Sequence, residues 1–329
     1  MIYNPKNLIC KRGGQNPVNM TNINNTLEYI RTKAEDPFEF AKECENRYNG
    51  KIKSIAEDIA KSGRTEIVMI AGPSSAGKTT SANKLRKHLF EIGLNSHTVS
   101  LDDFFVDNGK EPRFPDGTSD YETVDALDIE CFQETVTDLV EKGEADLPQF
   151  DFLKGMRKSQ RKHIEVSEKD VIIVEGLHAL NPKITEHLPA ERLLKIYINL
   201  SSRIYGEDGN VILSKRDMRF IRRAVRDYKF RGNSVERTYE LWQSVRYGEE
   251  AYLFPFKDNA DIKLNTTHLY EPCVLKDEAM QLLAEIGETS QFYRDSQRLI
   301  GSLSEFPSID SNIVPDDSLL REFIGLKES

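Results

Sequence analysis

The feature that most constrains the fold is a run of small residues between a short apolar segment and a helical pattern. In TEIVMIAGPSSAGKTT, Gly72, Gly77, Lys78 and Thr79 have the spacing GxxxxGK[ST]. In such a loop, backbone N–H groups surround an anion and the lysine reaches the outer phosphates, while the positive end of the next helix adds to the site. The residues predicted to form the nucleotide-binding loop are Gly72, Pro73, Ser74, Ser75, Ala76, Gly77, Lys78, Thr79 and Thr80.

Five apolar segments alternate with helical patterns along the chain. The segment before the loop is one strand, and SHTVSL, DVIIVEG, LLKIYINL and ADIKLN are predicted to be the other four. This alternation is typical of an α/β fold with a mostly parallel sheet. Together with the phosphate loop it predicts a P-loop NTPase fold, in which helices cover both faces of a five-stranded sheet and a lid and C-terminal helices are added.

Polar segments divide the chain of 329 residues into three predicted parts. Residues 1–35 are rich in asparagine, so we expect a loose N-terminal extension. Residues 36–290 are predicted to form the phosphate-loop domain, and residues 291–329 a C-terminal helical tail. Two irregular polar segments, 103–124 and 145–168, are predicted to be loops or a small hairpin over the site.

The composition argues against several classes of protein. A net charge of −9 is unlike the basic surface of a nucleic-acid-binding protein. No apolar run is long enough to span a bilayer, and the N-terminus lacks the apolar stretch of a signal peptide, so we expect a cytoplasmic protein with no membrane partner. The cysteines contain no CxxC pair, which argues against a zinc site and a disulfide framework. They are Cys10, Cys44, Cys131 and Cys273.

Two predicted strands end in carboxylates. In an open parallel sheet the carboxyl ends of the strands face the ligand crevice, and TVSLDDFF places Asp102 and Asp103 there. Asp102 can accept the proton of an attacking hydroxyl or hold magnesium, whereas Asp103 is the more typical turn residue. Glu175 ends the apolar run VIIVEG. A buried carboxylate needs a partner, and a magnesium ion is a suitable one. The Thr79 hydroxyl would be a further ligand of this ion. The alternative is that Glu175 is a purely structural residue at the end of a strand.

A strongly basic helical pattern, LSKRDMRFIRRAVRDYKFRG, follows the fourth strand. Arg219, Arg222, Arg223 and Arg226 fall within an arc of about 100° on such a helix. Because guanidinium groups on one face repel one another without an anion, we predict a mobile lid, at about residues 201–233, that closes on a triphosphate. The alternative is a solvated face with local ion pairs.

Several motifs together resemble the uridine kinase and phosphoribulokinase family, most closely its bacterial uridine kinase-like members. The motifs are GPSSAGKTT, SLDDFF, DYETVDALD, LPQFDF, VIIVEGLHAL and RFIRRAVRDYKFRG, in the family's order. The resemblance extends from about Glu45 to the LLREFIG tail. It implies ATP-dependent phosphorylation of a hydroxyl on a small-molecule acceptor, which for nucleosides is the 5′-hydroxyl. No nucleic-acid partner is expected, and the chain can be a monomer or a homo-oligomer.

The resemblance also implies roles for individual residues. The residues expected to be catalytic are Lys78, Asp102, Arg223 and Arg226. Asp102 is expected to act as the base and also to contact the substrate or the metal ion. Thr79 and Glu175 are expected to bind Mg²⁺, and Glu122 stands where uridine kinases have an Asp that binds the ribose hydroxyls. The lid arginines implied by position are Arg223, Arg226 and Arg231, and Arg223 and Arg231 are expected to contact substrate as well.

The predicted acceptor pocket departs from the family pattern at three positions. Phe150, Gly155 and Asn233 stand where selective uridine kinases usually have Tyr, His and Arg. We expect Phe150 still to stack on a base, but lost polar contacts weaken base selectivity. A kinase for another small alcohol, such as a sugar phosphate, is one alternative. A nucleotide-dependent switch is another, although the NKxD and LSGGQ motifs of such proteins are missing.

Overall fold

A five-stranded parallel sheet lies at the centre of the computed structural model, which describes residues 25–62, 67–152 and 154–327. Every neighbouring pair of strands is parallel. The carboxyl ends of all five strands therefore lie along one edge, and the predicted α/β fold with five strands is confirmed. In spatial order the strands are β11 (Ile262–Asn265), β8 (Leu193–Asn199), β1 (Ile67–Ala71), β7 (Val171–Glu175) and β2 (Ser96–Ser100).

Each face of the sheet packs against helices through its own hydrophobic core. Alternate residues of β1 point to opposite faces, so that Val68 and Ile70 join one core while Ile67 and Met69 join the other. The smaller core includes α4 (Ile129–Glu141) and α5 (Pro182–Thr185). The helices of the larger core are α1 (Leu27–Lys33), α2 (Pro37–Ser62), α3 (Lys78–Glu91), α6 (Lys215–Arg231), α7 (Val235–Gly248), α8 (Glu271–Ala284), α9 (Tyr293–Ser304) and α10 (Arg321–Ile324).

In the described part of the chain, three small antiparallel two-stranded sheets lie outside the central sheet. Two of them lie between residues 144 and 165, which almost coincides with the segment 145–168 predicted as loops or a small hairpin, and the third lies just before α6. Segment 103–124 contains only short 3₁₀ turns and isolated bridges. These sheets pair β3 (Glu144–Leu147) with β6 (Lys162–Glu165), β4 (Phe150–Asp151) with β5 (Met156–Arg157), and β9 (Ile204–Tyr205) with β10 (Val211–Leu213).

The N-terminal region differs from the predicted loose extension. Residues 1–24 of that extension lie outside the described residues. The part that follows contains α1, whose first turn is capped because the Thr26 hydroxyl accepts a hydrogen bond from the Tyr29 N–H at 3.2 Å. Leu27 and Ile30 are buried in the larger core, and Arg31 donates to the Glu305 carboxylate at 2.8 Å. Hydrophobic burial thus makes α1 part of the domain.

The C-terminal residues are also part of the main domain. Phe306, Val314 and Phe323 are fully or almost fully buried in the same core as α2 and α6. The predicted boundary near residue 290 therefore does not separate a tail from a domain. Among the described helices, none is long and apolar enough to cross a membrane.

Helix α6 corrects the prediction of a mobile lid over residues 201–233. Met218, Ile221 and Val225 are buried in the larger core, so most of this helix is scaffold. Arg222 forms an ion pair with Glu271 in which both side chains are fully buried. Carboxylates of the protein itself pair with the arginine face: Asp227, within α6, pairs with Arg223 and Arg226. This matches the local ion pairs that the sequence analysis left open as the alternative to a lid. The end of α6 and the turn after it, residues 229–232, are exposed and remain available for a lid role.

Candidate functional site

Packing from distant segments requires glycine at both ends of the phosphate loop. A Cβ on Gly72 would lie 2.3 Å from the Ile198 carbonyl oxygen, and one on Gly77 would lie 2.4 Å from the Leu319 side chain. Gly77 also has a φ of +86°, which L side chains rarely adopt. The loop is therefore held closely against β8 on one side and the C-terminal segment on the other, and α3 begins directly after it.

Side chains from α6 and from the turn that follows α7 fix the loop backbone. Arg219 donates to the Ser74 carbonyl at 2.9 Å, and Arg222 donates to the Ser75 carbonyl at 3.2 Å. The Glu249 carboxylate accepts the Ser74 N–H at 2.8 Å and also pairs with Arg219. These contacts hold the loop backbone in one arrangement, so the loop is preorganised.

A cavity of about 600 Å³ opens between the loop and the carboxyl edge of the sheet. It brings together most of the predicted site residues. Those that line it are Ser74, Ser75, Gly77, Lys78, Thr79, Thr80, Asp102, Glu122, Glu175, Arg223, Arg226 and Arg231. The predicted loop residues Gly72, Pro73 and Ala76 belong to the loop backbone without lining the cavity.

Phe150 is not among the residues that line the cavity, contrary to its predicted place in the substrate pocket. Its ring packs against Phe105, with centroids 5.9 Å apart, and Phe105 lines the cavity instead. The Phe150 N–H donates to the Asp103 carboxylate at 3.0 Å. Hairpin β4–β5 therefore places Phe150 one layer behind the wall, and Asp103 has a structural partner of its own.

Two carboxylates and a hydroxyl form an oxygen-rich end of the cavity. Asp102 follows β2, and Glu175 ends the neighbouring β7, where its carboxylate accepts the Ser100 hydroxyl at 2.9 Å. Burial raises the pKa of both Asp102 and Glu175, and the Lys78 ammonium opposes that rise. Together with the Thr79 hydroxyl these are hard oxygen ligands, and a divalent cation such as Mg²⁺ fits them because it would stabilise both carboxylates in their ionised form.

One buried carboxylate gathers the three arginines at the other side of the cavity. Asp227 is paired with Arg223 at 3.1 Å, with Arg226 at 2.7 Å and with Arg231 at 3.5 Å. Arg223 also donates to the Ser74 hydroxyl at 2.8 Å. Asp227 thereby offsets the mutual repulsion of guanidinium groups that would otherwise need an external anion.

Comparison with known proteins assigns the family. The Phosphoribulokinase / Uridine kinase family model matches residues 67–269. The chain belongs to this family. It is therefore a kinase, and the predicted resemblance is confirmed. The match begins at β1 and includes every predicted site residue, but α1, α2 and everything from Tyr270 onward lie outside it.

Relatives of this kinase include a uridine kinase from Staphylococcus aureus (strain JH9). It is 30% identical over 202 residues, which cover 60% of this chain and 86% of the relative. A putative fructose transport system kinase from Silicibacter sp. TM1040 has a solved structure with 19% identity and a TM-score of 0.48 over 64% of this chain and 98% of that chain. The solved structure of a possible uridine kinase from Bacillus stearothermophilus is 19% identical to this chain, with a TM-score of 0.44. The match covers 66% of this chain and 98% of that chain.

Two acids and a histidine that line the cavity were not predicted from the sequence. Glu249 begins a π-helical turn after α7, an irregularity frequent at functional sites. His178 follows the end of β7, and its Nδ1 has no hydrogen-bond partner within the described part of the chain. Burial lowers the pKa of His178 to about 4, so its imidazole is neutral at neutral pH. Glu322 comes from the C-terminal segment. Of these three residues, only His178 could have been suspected from the sequence, because it lies just beyond the end of a predicted strand.

Glu122 lies in the wall of the cavity beside Glu249. A Cβ on Gly248 would lie 2.5 Å from the Glu122 Cβ, so the glycine allows the two segments to approach each other. Burial, followed by the charge of Glu249, raises the pKa of Glu122 from 4.5 to about 7. The carboxyl group is thus close to half-protonated at neutral pH in the free kinase.

This raised pKa predicts how stability depends on pH. Between about pH 5 and pH 7 the folded chain holds a proton on Glu122 that the unfolded chain has released, so ionisation destabilises the folded state as the pH rises. We expect the free energy of unfolding of the wild-type chain to fall across this window relative to that of Glu122→Gln. Urea unfolding of both proteins without nucleotide or magnesium measures the difference. Parallel pH profiles would show that Glu122 ionises normally.

Proposed function

We propose that this kinase transfers the γ-phosphoryl group of ATP to a hydroxyl of a small-molecule acceptor, with the 5′-hydroxyl of a ribonucleoside as the favoured acceptor and weak selectivity for the base. The observation that carries the proposal is that one cavity contains the phosphate loop, Asp102 and Glu122. A donor phosphate, a base and a diol-binding carboxylate are then within reach of a single acceptor.

The donor end of the proposed reaction depends mainly on positioning and charge, because phosphoryl transfer requires little covalent chemistry from the protein. Lys78 and the loop N–H groups would hold the β- and γ-phosphates. Magnesium, bound by Thr79 and Glu175 with Asp102 beside them, would neutralise charge on these phosphates. Arg223 and Arg226 would stabilise the charge that develops on the transferred group, and Asp227 keeps both guanidinium groups in place.

Asp102 is the proposed general base. Its carboxylate lies at the end of β2 in the cavity, where it can accept the proton of the attacking hydroxyl. Burial raises its pKa, and the neighbouring Lys78 opposes that rise. A carboxylate whose ionised form is destabilised by burial is a stronger base than one in water, which favours proton abstraction at neutral pH.

The proposed acceptor side of the cavity suits an uncharged molecule with hydroxyl groups. Its apolar and aromatic wall can pack on a sugar or base, and Glu122 can accept hydrogen bonds from a diol. Among the described residues that line the cavity, lysine and arginine come only from the loop and α6. This arrangement favours a nucleoside over a sugar phosphate, whose second phosphate would need its own cation. The apolar and aromatic residues are Leu101, Phe105, Tyr121, Leu127, Leu177 and Val245.

Weak base selectivity is supported by the surroundings of Gly155. This residue has a φ of +64°, and an added Cβ would lie 1.8 Å from the Asn108 side chain. A histidine, which contributes to the nucleoside pocket of selective uridine kinases, would here clash with the Asn108 side chain and need a φ that L side chains rarely adopt. Phe150 packs against Phe105 and does not line the cavity, so neither position offers a polar contact to a base.

An acceptor screen tests this function. With ATP and magnesium, we expect ADP release to require an acceptor, and ribonucleosides with different bases to differ less than about a hundredfold in kcat/KM. Ribose phosphates should be poorer, and Lys78→Ala should abolish turnover with every acceptor. A uridine or cytidine preference above a hundredfold would refute weak selectivity. ADP release independent of any acceptor would favour the switch alternative.

Asp102 and Asp103 form a matched pair of variants. We expect Asp102→Asn to retain ATP binding but to lower kcat by about 10² or more, the usual scale for loss of a positioned base. Asp103→Asn should have a much smaller effect on kcat, because its carboxylate accepts the Phe150 N–H rather than facing the cavity. Steady-state kinetics with saturating ATP provide the comparison. A larger loss of kcat in Asp103→Asn would mean that the base has been misassigned.

A further inference from the structure

The C-terminal segment contacts the phosphate loop although it lies beyond the family match, which ends at residue 269. The Thr80 hydroxyl donates to the Glu322 carboxylate at 2.5 Å. Leu319 occupies the space beside Gly77 so closely that no Cβ could fit there. Glu322 also lines the cavity itself. This segment is therefore one wall of the donor site.

The backbone that carries Glu322 is firmly held. Leu319, Leu320 and Phe323 are fully buried, and the Arg222 guanidinium lies 5.0 Å from the centroid of the Phe323 ring. The Arg321 guanidinium donates to several backbone carbonyls of the same segment, including that of Gly325 at 3.1 Å. Because the backbone is fixed, the Glu322 carboxylate stays within reach of Thr80, and only its side chain can turn.

The chemistry of this contact opposes a bound nucleotide. Thr80 is at the start of α3, directly after Thr79, where its hydroxyl can donate to a phosphate oxygen. A hydroxyl has one proton to donate, and here the Glu322 carboxylate accepts it. Two anions would compete for the same donor, and the carboxylate would also repel the phosphate.

We propose that Glu322 is a positioning residue of the donor site that acts through Thr80 and lowers the affinity for the nucleotide. The proposal rests on the proposed function, because it assumes that the loop binds the donor. The Glu322 carboxylate accepts the hydrogen bond of the Thr80 hydroxyl when the site is empty, and the hydroxyl turns to donate to a phosphate oxygen when the nucleotide binds. The expected consequence is weaker binding of ATP and faster departure of ADP, a step that limits turnover in many kinases.

The test compares ADP and ATP dissociation constants of the full chain in the absence of acceptor. Glu322→Gln removes the charge and keeps the shape, and we expect it to bind both nucleotides about tenfold more tightly than the wild-type chain. The KM for ATP should fall, while the KM for the acceptor should not change. As a matched control, Asp316→Asn removes an exposed carboxylate of the same segment, paired with Lys327 at 3.6 Å, and should leave nucleotide binding unchanged.

A double-mutant cycle with Thr80→Val separates this role from a structural one. If Glu322 acts through the threonine, the gain from Glu322→Gln should shrink in the Thr80→Val background. Unchanged or weaker nucleotide binding by Glu322→Gln, at an unchanged unfolding temperature, would overturn the proposal, as would full additivity of the two changes. Failure of the wild-type chain to bind ATP would instead overturn the proposed donor site, so the two failures are distinguishable.

Discussion

The buried ion pair between Arg222 and Glu271 is the interaction on which the geometry of the donor site depends. Neither side chain is exposed, and the guanidinium also donates to the carbonyls of Ser75 and Thr266. One arginine thus ties the phosphate loop to the end of β11 and to α8. Removing one partner would leave an unpaired buried charge, which is strongly destabilising, whereas the intact pair contributes mainly a fixed arrangement of the groups it joins.

The other arginines of α6 extend this arrangement towards the cavity. Arg219 and Glu249 bind the backbone of Ser74 in the first part of the loop. Asp227 forms ion pairs with the guanidinium groups nearest the proposed phosphates. The helix thereby serves two purposes. Its apolar side fills the larger core, and its basic side fixes the loop and presents charge to the donor. Residues outside the family match complete the same site, since Leu319 and Glu322 close it from the C-terminal side.

The parts predicted well from sequence are those set by local patterns. Five apolar segments predicted the five strands, and the spacing of glycines predicted the loop, because each signal lies within a few neighbouring residues. Asp102 and Glu175 were placed correctly at the sheet edge because strand ends can be read from the same patterns. Buried α1 was missed since its short apolar pattern lies next to a long polar stretch.

Long-range contacts explain the remaining differences. The acids that pair with Arg219 and Arg222 lie 30 and 49 residues away, and Glu322 is 242 residues from Thr80. No local pattern links such residues, so the arginines appeared to need an external anion. Phe150 does not reach the cavity, because the ring of Phe105 lies between it and the cavity.

Amide hydrogen exchange along α6 in the ligand-free protein tests most directly whether this helix is a fixed scaffold. We expect the amides from Met218 to Val225 to exchange as slowly as those of β1, and nucleotide to change them little, because both elements are buried and open only when the domain unfolds. Amides near Arg231 and Gly232 can respond to ligand without affecting this conclusion. Fast exchange from Met218 to Val225 without nucleotide, followed by protection when an ATP analogue is added, would contradict the account and restore a mobile lid.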